Sequence, residues 1–226
     1  IAHLPDFHLG APLSRGNRAT VREVSWVVER VPDLVCITGD LVSHPRGEPR
    51  LRELLTRLDR PYVVLGNHDV ALTRDPFSRA AELRDLERAV LLRDEHTLVA
   101  LRGRTVALVG VDPVSYRQRR SRAHERALHD VALRILLCHF PAIVRSLPPR
   151  SFDVILAGHL HAGQIRLPLP GRTVTLAHPR ARYVAGPYAT EAGILHVSPG
   201  TGTTFVPFRF FARPEATELV LRRALD

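Results

Sequence analysis

The 226-residue chain has no methionine and no lysine, only two cysteines and one tryptophan, and 6% aromatic residues. Two cysteines cannot build a disulfide framework, so a packed core must hold the fold together. Cys36 in LVCITGD and Cys138 in ILLCHF sit within apolar, strand-like runs and read as buried free thiols, which leaves the redox compartment open. No uninterrupted apolar stretch approaches the ~18 residues needed to cross a bilayer. The formal charge of +9 rests entirely on arginine, and this uniformity reads partly as coding preference. The densest run, RQRRSRAHER from Arg117 to Arg126, is expected to be a solvated face. An anionic polymer or lipid surface is its alternative partner. The scarcity of aromatics leaves no reading surface for nucleic-acid sequence, so a nucleic-acid partner stays open but unsupported. The chain opens at Ile1 with IAHL, which reads as mid-strand. Residues upstream are therefore expected, a leader or anchor among them stays open, and location stays between cytoplasmic and membrane-associated.

What is present is ordinary for a globular protein, 45% apolar and 24% charged. No linker or composition break divides the chain, so a single domain over 1–226 is expected. Short apolar runs ending in polar or glycine turns recur at 33–40, 61–69, 131–140 and 152–159. Between the first two, Leu51, Leu54, Leu55 and Leu58 follow i, i+3, i+4, i+7 and form one helical stripe. Val21, Val24, Val27, Val28 and Val31 do the same over 18–31. Strand, helix, strand, helix in this order implies parallel strands and an α/β class. The stretch 96–112 reads as a hairpin about Gly103, and QIRLPLPGRTVTL, GILHVSPG and ATELVLRR read as further strands in a mixed or second sheet. Two packed mixed sheets flanked by helices are expected.

The chemistry collects where the strands end. Asp6-Phe7-His8, Gly39-Asp40, Gly66-Asn67-His68-Asp69, His139 and Gly158-His159-Leu160-His161 each follow an apolar run. In an open α/β sheet the carboxyl ends of parallel strands share one edge. Two aspartates, an asparagine and several histidines suit Mn, Fe, Zn, Co or Ni, with manganese first among them, rather than the all-oxygen cage of Ca or Mg. Seven side chains exceed one tetrahedral site and match two divalent ions sharing a carboxylate. Asp40 is the natural bridge, because a carboxylate offers two oxygens. Such an ion pair activates water at neutral pH and clamps phosphoryl oxygens. The flanking glycines permit the backbone turns that a β-carbon would obstruct.

This ordered set resembles the calcineurin-like metallophosphoesterases over residues 1 to about 161. The continuation GQIRLP, with YVAG and PFRFFARPE, is similar to a bacterial subgroup often tethered to membrane. The resemblance implies an αββα sandwich and a phosphoesterase acting on phosphodiesters. It further implies that Asp6, His8 and His161 hold one metal, Asn67, His139 and His159 the other, and Asp40 bridges. His68 would then stand beside the scissile phosphate and stabilise or protonate the leaving oxygen. The family usually carries an aspartate three residues after the bridge, supporting that histidine, where this chain has Ser43. A serine supplies no negative charge, so His68 is expected to be less basic or less firmly held, with Asp69 or His44 as substitutes.

Other metal hydrolases fit less well. A metallo-β-lactamase-type site needs H-x-H-x-D-H, and after His161 this chain runs Ala162-Gly163-Gln164. Amidohydrolase barrels place their histidine pair on the first strand. Among phosphoesterase substrates, a nucleotide- or lipid-linked pyrophosphate is the alternative to a simple diester, and the apolar FVPFRFF points toward lipid and peripheral membrane contact. A metal-bearing binding protein with weak turnover and a nuclease are the remaining alternatives. Arg15 and Arg166 are candidates to steady a substrate phosphate. His3, His44, His96, His124, His129, His178 and His196 are expected to serve surface or core roles.

Overall fold

The computed structural model describes residues 1–12, 16–122, 128, 130–170 and 172–222. Two sheets carry the fold. In the first, β1 (Ala2–Leu4), β2 (Val35–Thr38), β3 (Tyr62–Val64) and β4 (Val90–Leu91) run parallel in that order. β13 (Thr217–Glu218) closes the β1 edge antiparallel. The second sheet is ordered β11-β12-β8-β7-β6-β5. It comprises β5 (His96–Leu101), β6 (Arg104–Gly110), β7 (Leu133–Leu137), β8 (Val154–Ala157), β11 (Gly186–Thr190) and β12 (Gly193–Val197). Its four central strands are parallel, with antiparallel strands at both edges.

Alternation along the strands sorts side chains into three apolar layers. Cys36, Tyr62, Val64, Leu108, Ile135, Leu137 and Leu156 fill the space between the sheets. The opposite face of the first sheet, with Leu4, Ile37 and Val63, is covered by α1 (Gly16–Arg30) and α2 (Glu48–Thr56). Over the outer face of the second sheet lie Tyr116 of α3 (Pro113–Arg117) and the segment from Phe140 to Leu147. This is the two-sheet, helix-flanked architecture expected from the sequence. Both cysteines are free and fully buried, and burial pushes each thiol up to about 12.

The leucine stripe sits where its spacing puts it, with Leu51, Leu54, Leu55 and Leu58 all buried. Each contributes about 1.5–3 kcal/mol relative to exposure. The valine stripe is only half right. Val24 and Val27 are buried, but Val28 is 45% and Val31 81% exposed. The buried arc of α1 turns instead toward Thr20 and Glu23, and Val31 lies past the helix end with φ of 47°. The β5–β6 hairpin turns through Arg102 and Gly103, pairing Leu101 with Arg104. Both turn residues have positive φ, as a two-residue type I′ turn requires.

QIRLPLPGRTVTL joins neither large sheet. It forms a separate two-stranded ribbon of β9 (Arg166–Leu169) and β10 (Arg172–Thr175). Among the described residues no helix is long and apolar enough to cross a membrane.

Candidate metal centre

The parallel strands of both sheets deliver their C-terminal ends to one edge. Asp6 lies two residues past β1, Asp40 two past β2, Asn67 three past β3, His139 two past β7 and His159 two past β8. Five of the seven expected ligands, Asp6, His8, Asp40, His159 and His161, have φ between 49° and 76°. Left-handed backbone costs of order 1–2 kcal/mol per non-glycine residue, and such strain clusters where function demands it. Neighbouring glycines make room for the carboxylates. A β-carbon on Gly66 would overlap the Asp40 side chain, and one on Gly158 would come within 2.6 Å of Asp6 Oδ2.

The side chains meet in two groups joined through Asp40: Asp6, His8, Asp40 and His161, and Asp40, His139 and His159, each with ligand atoms within 4.8 Å of one another. His8 Nε2 stands 3.1 Å from His161 Nε2 and 3.9 Å from Asp6 Oδ1. His139 Nε2 lies 3.1 Å from both Asn67 Oδ1 and His159 Nδ1, which brings Asn67 into the second group. Asp40 Oδ2 is 3.4 Å from His8 Nε2 and 3.2 Å from His139 Nε2. The other carboxylate oxygen accepts the His68 backbone N–H at 2.8 Å. One oxygen therefore faces both groups while its twin is anchored, a sharper division than two equivalent oxygens would give.

The donor set fits divalent cations on its own chemistry. His139 Nδ1 donates to the Thr38 carbonyl at 2.8 Å, and His161 Nδ1 faces the Gly202 carbonyl at 3.3 Å. That turns Nε2 of each toward its group. Burial, reinforced by neighbouring cationic groups, holds His8, His159 and His161 well below the usual histidine range. They are thus neutral, ligand-competent imidazoles at pH 7. Burial pushes Asp40 up as well, but His139, His68 and His8 outweigh it and keep its carboxyl well below the carboxylate range. Asp6 is raised to about 8, by burial first. His139 reaches about 9 because Asp40 overrides the cost of burial.

A strand-end set of this order and composition is matched by the calcineurin-like phosphoesterases, whose family model covers residues 1–163. The chain belongs to that family. Calcineurin-like phosphoesterases use divalent metal ions, in keeping with the Asp and His groups just described. The chain is 27% identical to the Bacillus subtilis metallophosphoesterase YkoQ over 96% of its own length and 81% of that protein. To the Escherichia coli phosphodiesterase YaeI it is 28% identical, over 98% and 81%. A zebrafish transmembrane protein with a metallophosphoesterase domain is 35% identical over 98% of this chain and 52% of its own. A candidate 5'-nucleotidase from Staphylococcus aureus shares the fold, with a TM-score of 0.52 at 13% identity over 88% of this chain and 48% of that one. The chain thus spans about half of the zebrafish and staphylococcal proteins.

Within this candidate site, Ser43 does not take the missing aspartate's place beside His68. Its hydroxyl bonds His8 Nδ1 at 2.8 Å and orients that imidazole within the first group. The expected substitutes are engaged elsewhere. Asp69 accepts the backbone N–H groups of Val42 and Gly66, tying two strand-end loops together, and His44 accepts from Arg46 N. The acid that faces His68 is Asp75, with Oδ2 4.0 Å from Nδ1. His68 Nδ1 is buried and makes no hydrogen bond, while Nε2 reaches Thr73 Oγ1 at 3.4 Å. Nothing in TRDPF marked Asp75 beyond an Asp-Pro turn.

Two further side chains were not legible as site residues. Arg209, in PFRFFARPE, donates to the carbonyls of Pro199, Gly202 and His161, and Nη2 stands 3.1 Å from His161 Nδ1. His178, expected to be a surface or core residue, is exposed but packs its ring 5.1 Å from that of His159. His159 is the one expected ligand that is only half-buried, so solvent meets the expected ligand set most at this residue. His3 and His196 are core residues as expected, with their Nδ1 atoms 2.9 Å apart between the sheets. Arg166 pairs with Thr175 in the ribbon. Arg15, His124, His129 and most of the second half of the Arg117–Arg126 run lie outside the described residues. A cleft of about 740 Å³, lined in part by Ile1, Leu34, Arg104 and Leu133, lies at the N-terminal ends of the strands, away from this edge.

Proposed function

We propose that the chain hydrolyses phosphodiesters with a pair of divalent cations, manganese foremost. Asp6, His8 and His161 would hold one, Asn67, His139 and His159 the other, with Asp40 between them. The observation that carries this reading is the single Asp40 oxygen, 3.4 Å from His8 Nε2 and 3.2 Å from His139 Nε2. When bound, the cations supply an activated water and a clamp on the phosphoryl oxygens. The protein's own part is to orient and to move protons. Ser43, Thr38 O and Gly202 O set the imidazole planes. His68, 4.7 Å from the His8 ring centroid to centroid, holds the proton that passes to the leaving oxygen. Asp75 stabilises that imidazole when it is protonated.

Diester specificity is further supported by the relation to YaeI, named a phosphodiesterase. A pyrophosphate-linked lipid is the second reading, favoured by exposed phenylalanines near the site at 205, 208, 210 and 211. Manganese-loaded protein should cleave bis-p-nitrophenyl phosphate faster than the p-nitrophenyl monoester, and a nucleoside-diphosphate lipid arm separates the second reading from the first. Two bound ions without turnover across this panel would mark a metal-bearing binding protein instead.

A further inference from the structure

We infer that the β9–β10 ribbon and the Phe205–Phe211 segment form a face that docks the domain on an anionic bilayer, with the metal-centre edge beside the lipid surface. Of the fifteen large hydrophobic residues exposed on the described chain, seven fall within these two short stretches. They are Leu167, Leu169 and Leu176 on or beside the ribbon and the four phenylalanines of the second segment, 38–63% exposed. Clusters of this kind on a globular surface mark an interaction site, whereas scattered single residues do not.

The register explains why the leucines face out. Leu167 pairs with Val174, and Leu169 with Arg172, so Leu167, Leu169 and Val174 share one side of the ribbon. Thr175 belongs to the other side and packs where a Gly163 β-carbon would be, against the turn that follows His161. The ribbon is thus seated on the metal-centre loop through Thr175, while Leu167 and Leu169 on the other side stay exposed. The phenylalanine segment is fastened to the same place. Arg166 N donates to Phe210 O and Phe210 N to Gln164 O, each at 2.9 Å. The Gln164 side-chain amide donates to the carbonyls of Thr204 and Val206.

Charge selects the occupant. Between Val154 and Pro214 the sequence holds six arginines and a single acid, Glu191. Glu191 lies just before β12, at the end of the sheet opposite the metal centre. Arg180, Arg182 and Arg213 are exposed and Arg166 is half-buried. A second copy of this chain would set arginine against arginine. An anionic lipid surface meets both features, because phenylalanine and leucine enter the headgroup boundary while arginine pairs with phosphates. The inference does not depend on which phosphoester the site cleaves.

Vesicle co-sedimentation of the whole chain tests it, with phosphatidylcholine vesicles containing or lacking phosphatidylglycerol, at low salt and at about 0.5 M, where exposed charges are screened. Binding should require phosphatidylglycerol and weaken with salt. The Arg180→Gln/Arg182→Gln pair should lower partitioning about 25-fold, at about fivefold per arginine. The Phe208→Ser/Phe211→Ser pair should lower it at least tenfold. Both variants should keep the wild-type melting temperature and turnover of a water-soluble diester. Equal binding to neutral vesicles, or none to either, overturns the inference. So does a wild-type dimer in sedimentation velocity that the phenylalanine substitutions dissociate, since the face would then belong to a second copy. Should the phenylalanine variant misfold, the surface arginine pair still decides.

Discussion

Asp40→Asn separates a shared carboxylate from two independent sites. The amide is nearly isosteric and can still accept the His68 backbone N–H at the position of Oδ1. Its NH₂ would then replace Oδ2, presenting a donor to His8 and His139 where both groups now face an acceptor. At the 3.2 Å separation from His139 Nε2, one positive charge gains about 5 kcal/mol at an effective dielectric of about 20. His8, neutral and 3.4 Å away at Nε2, adds no such attraction, and the carboxylate is only 1% exposed, so solvent screens little. Loss of that charge should weaken cation binding in both groups by roughly three decades. After chelation and reloading, elemental analysis should find both ions missing from Asp40→Asn. His161→Asn should lose one and retain the other. The metal-free variant has an independent readout by NMR: His139, now held at about 9 by Asp40 against burial, should fall below the ordinary histidine value. An Asp40→Asn protein that reloads two ions, or loses only one, refutes the shared-oxygen reading.

Cation uptake should release protons, because Asp6, raised to about 8, and His139, at about 9, must both give one up to act as ligands. Affinity should therefore rise with pH from 7 to 8, by up to about 100-fold if two protons leave, and chelator competition showing a flat profile would count against it. Asp75→Asn should leave metal content unchanged and cut turnover about tenfold with an altered pH profile, whereas His68→Asn should cost about 100-fold or more. Equal metal loss in either would place these residues in the ligand scaffold instead. Arg209→Ala removes the hydrogen bonds to three carbonyls and orphans that of Pro199, since the His161 carbonyl keeps the Gln164 N–H and the Gly202 carbonyl still faces His161 Nδ1; at about 1–3 kcal/mol this should lower Tm by about 2–12 °C in a chain of this size. Arg209→Lys should recover only part, and calorimetry with no shift for the alanine variant would show the loop to be held by other contacts.

The architecture was legible wherever a periodic pattern coincides with a strand end. Asp6, Asp40, Asn67, His139 and His159 each follow a parallel strand within two or three residues, so the sheet's geometry alone gathers them. The leucine stripe of α2 and the hairpin about Gly103 were legible for the same reason, since local spacing decides both. Partners set by tertiary approach were not. Ser43 bonds His8 across 35 residues and Arg209 reaches the His161 carbonyl across 48. Asp75 comes to His68 from a stretch between β3 and β4 that has no regular element. Periodicity also located a face of α1 without its centre, which is why Val28 was assigned to the core in place of Glu23. The ribbon's alternation identified two strands and carried no information on which sheet would take them.

The ligand set draws on both layers: Asp6, His8, Asp40 and Asn67 follow strands of the first sheet, His139, His159 and His161 follow strands of the second. Ions seated among them would rivet the sandwich at one rim, resisting any slippage of one layer over the other. A nascent chain whose halves have yet to meet offers no such seat, so metal capture doubles as a report that assembly is complete.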